Sequence, residues 1–201
     1  MSTRSCLAYK TKDGWEGIYC HWDGYPTNRG PQIWKILMEQ FILNKGKLGI
    51  SNDGSTALQA FVDIYIKGHR GGWSAFPTEC YCHDPDFVMR DGAKGDEPFM
   101  TDKAADPLFI EWVYCIDVEN KKLIIYTHGR AKGETEEKIL VKETKEVRKW
   151  SSPNYTHYLV CELAINPDVK DPDWKAIEKS GNDLSNKMYE KYNKEVKSGR
   201  S

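Results

Sequence analysis

The chain lacks the long apolar run that a membrane-spanning helix or a secretory signal requires. Charged residues interrupt every hydrophobic stretch well before about 18 apolar positions, the length that a spanning helix needs. Met1 to Gly14 contains no apolar core of the signal-peptide kind. We therefore expect a cytoplasmic protein that does not partner with a membrane.

An excess of basic residues is also missing. The chain has 29 lysines and arginines against 30 aspartates and glutamates, for a formal net charge of −1. Proteins that bind DNA or RNA without sequence preference carry a clear basic excess, because their affinity comes from phosphate contacts. Non-specific nucleic-acid binding is therefore excluded from our expectations.

A signal that would direct the chain to an oxidising compartment is missing as well, so its cysteines, which could make three disulfides, are not expected to pair. Six cysteines lie in 201 residues, and 39% hydrophobic content is ample for a packed core, so we expect free thiols. Cys80, Cys82 and His83 are zinc-ligand types, but the segment stands alone without paired Cys-x-x-Cys knuckles. We predict no metal centre and no cofactor, with metal binding by these three residues left open.

The first elements in the sequence pattern form a β-hairpin. Arg4–Thr11 and Trp15–Trp22 are rich in aromatic and aliphatic residues, and Lys12–Gly14 between them suits a three-residue loop with glycine in the left-handed position. This loop length places Leu7 opposite Tyr19. The side chains expected on their shared sheet face are those of Leu7, Tyr9, Tyr19 and His21.

Three amphipathic helices are predicted. The first spans 31–43, with Pro31 in its first turn, and the second begins at the capping pair Thr56 and Gln59 and ends at Gly68. The third begins after Asp171-Pro172-Asp173, and we expect residues 191–201 to be frayed. Further strands are predicted at 109–117, 123–128 and 156–164, and residues 69–107 read as irregular.

These elements predict an α+β fold. We expect a mainly antiparallel sheet, built from two β-hairpins and packed against two or three amphipathic helices. No repeat, linker or compositional break divides residues 1–201, so one domain is the simplest organisation.

The segment His21-Trp22-Asp23-Gly24-Tyr25-Pro26, which follows the first hairpin, is the most distinctive motif. Together with the second hairpin, it resembles a family of small uncharacterised proteins from phages, plasmids and bacteria. The resemblance implies an accessory role, such as interference with host defence, and location in the host cytoplasm. It implies no activity. Thr27-Asn28-Arg29-Gly30 departs from the family pattern, which suggests a divergent member.

The same motif carries the residue types of a catalytic site. His21 beside Asp23 could act as a general base, and the Tyr25 hydroxyl could donate a hydrogen bond to the negative charge that develops on a substrate. The alternative interpretation is structural: Asp23-Gly24 forms a turn, and the aromatic rings anchor the core. We favour this second interpretation because no nucleophile completes a catalytic set.

A ligand site is predicted from arginines, glycines and aromatic rings. Arg29 lies near the start of the first helix, and Arg70 lies in the Gly68–Ser74 segment, where glycines permit close backbone approach to a ligand. Tryptophan rings could stack on a planar group. The full predicted set of ligand-binding residues is Trp22, Arg29, His69, Arg70 and Trp73, with Trp15, Trp112 and Trp150 as further stacking candidates.

Three hypotheses about function follow. The leading one is a phage or mobile-element accessory protein that binds a small anionic, nucleotide-like ligand and sequesters a host immune signal. The first alternative is a hydrolase of phosphodiester or amide bonds that uses His21 and Asp23. The second is an inhibitor that blocks a host defence enzyme through an exposed aromatic patch. Homo-oligomer formation is left open.

Overall fold

A computed structural model of the chain describes residues 3–12, 14–20, 23–47, 55–67, 100–101, 110–130, 155–166 and 168–198. Six strands and three α-helices are assigned within these residues, and a short π-helix, Val62–Ile66, directly follows the second α-helix. The strands are β1 Ser5–Thr11, β2 Gly14–Cys20, β3 Met100–Thr101, β4 Trp112–Asp117, β5 Lys122–Arg130 and β6 Tyr155–Ala164. The α-helices are α1 Pro26–Lys47, α2 Ser55–Phe61 and α3 Trp174–Ser198.

The strands form a single mixed sheet in the order β3-β2-β1-β4-β5-β6. Four of the five neighbouring pairs are antiparallel, and both predicted hairpins, β1–β2 and β4–β5, are present. The central pair β1–β4 is parallel. Parallel strands need a long crossover connection, and the segment between these two strands, which includes α1 and α2, provides one. The α+β class and the mainly antiparallel sheet are thus confirmed, whereas the single-domain organisation stays a prediction.

The register of the first hairpin differs from the prediction by one residue. Thr11 pairs with Gly14, which has a φ of 147° and begins β2, so the loop is one residue shorter than predicted. Leu7 consequently lies opposite Ile18, and Tyr19 lies opposite Cys6. Because side chains alternate between faces, this shift moves Tyr19 away from the face of Leu7.

The helices are confirmed in type and corrected in extent. Helix α1 begins at Pro26, five residues before its predicted start, and Pro31 lies inside it on the exposed side. Helix α2 begins at Ser55, so Thr56 lies inside it and the predicted capping pair is wrong; the Gln59 amide instead donates to the Asp63 carboxylate of the π-helix at 2.8 Å. Helix α3 continues to Ser198, through most of the segment that we expected to be frayed.

The helices cover one face of the sheet. Leu7, Tyr114 and Ile125 on that face are fully buried against Ile33 and Leu37 of α1, with Leu58 and Phe61 of α2 in the same cluster. Helix α3 passes so close to the sheet that a side chain at Gly181 would clash with the Trp112 ring. Burial of this apolar surface is the main favourable contribution to folding.

A second cluster of buried residues lies on the opposite sheet face. It consists of Cys6, Ala8, Trp15, Ile110, Val113, Cys115 and Ile124. Cys6 and Cys115 are free thiols, as predicted, and burial raises the pKa of each, that of Cys115 to about 12. Such protonated thiols are poor nucleophiles, so they serve packing.

His157 of β6 packs against this second cluster. Its ring lies edge-on to Trp15 at 6.1 Å between centroids, and its Nε2 atom lies 2.8 Å from the carbonyl oxygen of Ile110. Burial lowers the pKa of His157 from 6.5 to about 4, and the neighbouring His128 acts in the same direction. The ring is therefore neutral at neutral pH and donates from Nε2 to Ile110.

This histidine predicts how stability depends on pH. The pKa of His157 is lower in the folded chain than in the unfolded chain. The contribution of the neutral ring to the free energy of unfolding is therefore complete above pH 6.5 and is lost as the pH falls toward 4. The loss reaches about 3 kcal/mol, because each pKa unit corresponds to about 1.4 kcal/mol. Urea denaturation between pH 7 and 4 measures it. His157→Gln, which keeps a donor and cannot charge, should be less sensitive over this range; an equal slope in both proteins would contradict the assignment.

Candidate functional site

The motif segment forms a tight corner between β2 and α1. Asp23 is exposed and has a φ of 48°, a left-handed conformation that aspartate tolerates better than most residues. The Gly24 amide donates to the Thr3 carbonyl at 2.9 Å, and the Gly24 carbonyl accepts from the buried hydroxyl of Tyr114 at 2.8 Å. A Cβ at Gly24 would lie 2.7 Å from Ser5, so only glycine fits. The Asp-Gly pair therefore has a structural role.

The residues after Gly24 begin helix α1. The Tyr25 carbonyl accepts from the amides of Asn28 and Arg29, at 3.1 and 2.9 Å. Glu178 of α3 accepts from the Thr27 amide at 2.9 Å and from the Thr27 hydroxyl at 2.6 Å. A carboxylate at a helix N-terminus satisfies unpaired amides and complements the helix dipole. The anion at the start of α1 is thus supplied by the chain itself.

Arg29 is placed differently from the prediction. It lies within the first turns of α1 and is only 4% exposed, so its guanidinium is not presented to a ligand at the surface. The guanidinium donates a hydrogen bond to the Gln32 side-chain oxygen at 3.0 Å. Burial raises the pKa values of Cys20 and Tyr114, and the positive charge of Arg29 acts to lower both. Arg29 therefore carries a buried positive charge that acts on Cys20 and Tyr114.

The structure describes only some of the predicted site residues. Of the three predicted catalytic residues, Asp23 and Tyr25 are described, and both take part in the turn and the helix start. Trp15 and Trp112, two of the stacking candidates, are buried in the core at 6% and 3% exposure, so their prediction as ligand-stacking rings is wrong. The candidate residues from the sequence analysis that lie outside the described residues are His21, Trp22, His69, Arg70, Trp73, Cys80, Cys82, His83 and Trp150.

A different group of residues brings a cation and aromatic rings together near the surface. Arg130, the last residue of β5, pairs with Tyr155, the first residue of β6, and its guanidinium carbon lies 4.4 Å from the centre of the Tyr155 ring. Tyr189 and Tyr192 of α3 approach the same guanidinium at 5.6 and 5.1 Å. His128 lies beside Tyr155 and Tyr189, at 6.4 and 6.3 Å between ring centroids. We name these five half-buried residues the Arg130 cluster.

The geometry of the cluster fixes the arginine side chain. Cations are attracted to the negative faces of aromatic rings, by about 0.5–2 kcal/mol for each contact. The backbone is held as well, because the Tyr158 hydroxyl donates to the Arg130 carbonyl at 2.9 Å. Burial raises the pKa of Tyr189 to about 12, with Tyr155 acting in the same direction and Arg130 against it. The phenol is therefore neutral at physiological pH and able to donate a hydrogen bond.

Sequence reasoning missed this cluster. Arg130 lies just beyond the strand predicted at 123–128, and Tyr192 lies in the end of the chain that we expected to be frayed. Tyr189 and Tyr192 are three residues apart, so they share one face of the last helix, and this spacing was the available signal. No pattern in the sequence pairs that face with the end of β5.

Comparison with protein-family models, curated proteins and solved structures gives no match. The chemistry of the site must therefore be inferred from its residues. In the part of the chain that the structure describes, no group of three or more His, Cys, Asp or Glu side chains is arranged to hold a metal ion. No helix among the described residues is both long and apolar enough to cross a membrane.

The corner predicts a steric effect at Gly24. Gly24→Ala should lower the free energy of unfolding by about 1–3 kcal/mol, because the added methyl group must displace Ser5 and the backbone next to it. Asp23→Asn is the matched control. Asparagine also tolerates the left-handed conformation, so its stability should stay within about 0.5 kcal/mol of the parent chain. Chemical denaturation measures both variants, and a Gly24→Ala protein as stable as the parent would contradict the geometry.

Proposed function

We propose that this chain is a non-catalytic accessory protein of a phage or mobile element, which binds a small anionic, nucleotide-like ligand at the Arg130 cluster. The observation that carries the proposal is the half-buried guanidinium of Arg130, which is surrounded by the rings of Tyr155, Tyr189 and Tyr192. Sequestering a host immune signal by such a site would need affinity and no chemical step.

The arrangement suits an anion. The N–H groups of a guanidinium lie in its plane, where they match two oxygens of a phosphate. Because the rings already hold the side chain in place, less conformational entropy is lost when a ligand binds. Arg130 therefore takes the role that the sequence analysis gave to Arg29, while Arg70 lies outside the described residues.

The rings suit the planar part of a nucleotide. Stacking of a base on an aromatic side chain contributes about 1–3 kcal/mol, and it tolerates different bases because every base has a flat face. Tyr155, Tyr189 and Tyr192 are each partly exposed, unlike the buried Trp15 and Trp112. Their phenol groups add hydrogen-bond donors for a sugar or a phosphate.

The described part of the motif favours binding over hydrolysis. Asp23 forms the left-handed turn, the Tyr25 carbonyl begins α1, and Glu178 occupies the helix start. These groups are used to join β2 to α1. The proposal accordingly assigns no catalytic role to the corner.

A thermal-shift experiment tests the proposal. The panel contains nucleoside mono-, di- and triphosphates, cyclic nucleotides and inorganic phosphate. A ligand at about 100 times its Kd stabilises the folded chain by about 2.7 kcal/mol, which raises Tm by about 5–10 °C for a chain of this size. At least one nucleotide should produce such a shift.

Variants locate the site. Arg130→Gln should abolish the ligand-induced shift, and Arg130→Lys, which keeps the charge without the planar fork, should retain part of it. Lys175→Gln removes an exposed charge from the first turn of α3 and should respond like the parent chain. The proposal fails if no nucleotide shifts Tm at millimolar concentration, or if the Arg130→Gln protein responds as the parent does.

A further inference from the structure

We infer that the Arg130 cluster selects ligands whose phosphate carries a single negative charge, as in a phosphodiester or a cyclic mononucleotide, over nucleoside triphosphates. This inference rests on the proposed function and specifies the class of ligand. It comes from the balance of charges around Arg130 and from the shape of the cluster.

The cluster as described contains one fixed positive charge. Its other members are three tyrosines and His128, and the pKa of Tyr189 near 12 keeps that phenol neutral. One guanidinium offers a planar fork that matches two oxygens of one phosphate group. A single phosphate with one charge is thus neutralised by Arg130 within the cluster, whereas further phosphate charges could be neutralised only outside it, by water or by exposed side chains such as Lys191.

A carboxylate acts on a residue that contacts the cluster. Burial raises the pKa of Tyr158, and the negative charge of Glu195 raises it further. The hydroxyl of Tyr158 donates to the carbonyl of Arg130, so Glu195 acts on the immediate surroundings of the cluster. Repulsion from this carboxylate increases with each added negative charge on the ligand.

The half-buried rings increase the selectivity. Three tyrosine rings against the guanidinium reduce the access of water, and a buried charge without a partner is costly. Excess phosphate charge can escape this penalty only by remaining in water. A compact ligand with one charge next to its planar base fits within the cluster.

Isothermal titration calorimetry in buffer free of divalent cations tests the inference. The probes are 3′,5′-cyclic AMP, AMP and ATP, and the corresponding three guanine nucleotides. In the series that binds, the cyclic mononucleotide should bind about tenfold more tightly than the triphosphate, with the monophosphate between them.

Glu195→Gln provides the matched variant, because Glu195 is exposed and its replacement is not expected to disturb folding. Removing this carboxylate should strengthen triphosphate binding about fivefold and should change cyclic-mononucleotide binding much less. Glu190→Gln, an exposed carboxylate on the same helix, serves as the control for general surface charge.

The results separate the inference from the proposed function. If the triphosphate binds as tightly as the cyclic mononucleotide in both series, the charge selection is wrong, while the proposed binding function stands. If Glu195→Gln and Glu190→Gln have equal effects, Glu195 has no local role and the inference is also wrong. If no probe binds, the proposed function fails together with the inference.

Discussion

The hydrogen bond from the buried Tyr114 hydroxyl to the Gly24 carbonyl is the interaction on which the rest of the arrangement depends. It ties β4, in the second hairpin, to the corner that ends the first hairpin. Without it, a fully buried hydroxyl would lose its partner, at a cost of about 1–3 kcal/mol. The bond anchors the corner that precedes α1, and Glu178 of α3 accepts hydrogen bonds from the first turn of that helix.

This arrangement separates the structural corner from the proposed binding site. The corner contacts Ser5 of β1, Tyr114 of β4 and Glu178 in the first half of α3. The Arg130 cluster is instead formed where β5 and β6 meet, against the second half of α3. The described residues of the motif thus support folding, and the Arg130 cluster, formed by β5, β6 and α3, is the proposed binding site.

The predictability of the fold from the sequence depends on the type of signal. Periodicity identified both hairpins, strand β6 and all three helices, because long apolar patterns reflect burial directly. The first hairpin was placed one residue out of register because its loop chemistry suits two loop lengths. The start of α1 was missed because Pro31 suggested a first turn, and the true start depends on Glu178, which is distant in sequence. The parallel pairing of β1 with β4 has no local signal at all.

The site was harder to predict than the fold. Arg29 was identified as a ligand-binding cation from its position near a helix start, but burial beneath the corner gives it a structural role. Arg130 and Tyr192 were overlooked because each is unremarkable in its own segment. They come together only because α3 packs back against the end of β5, which is a tertiary contact.

NMR spectroscopy with 3′,5′-cyclic AMP and 3′,5′-cyclic GMP tests most directly the claim that binding occurs at the Arg130 cluster. Titration should move the Arg130 Nε–H signal and the ring signals of Tyr155, Tyr189 and Tyr192, while the backbone amides of residues 21–29 stay in place. Changes confined to residues 21–29, with the cluster signals unmoved, would contradict the account.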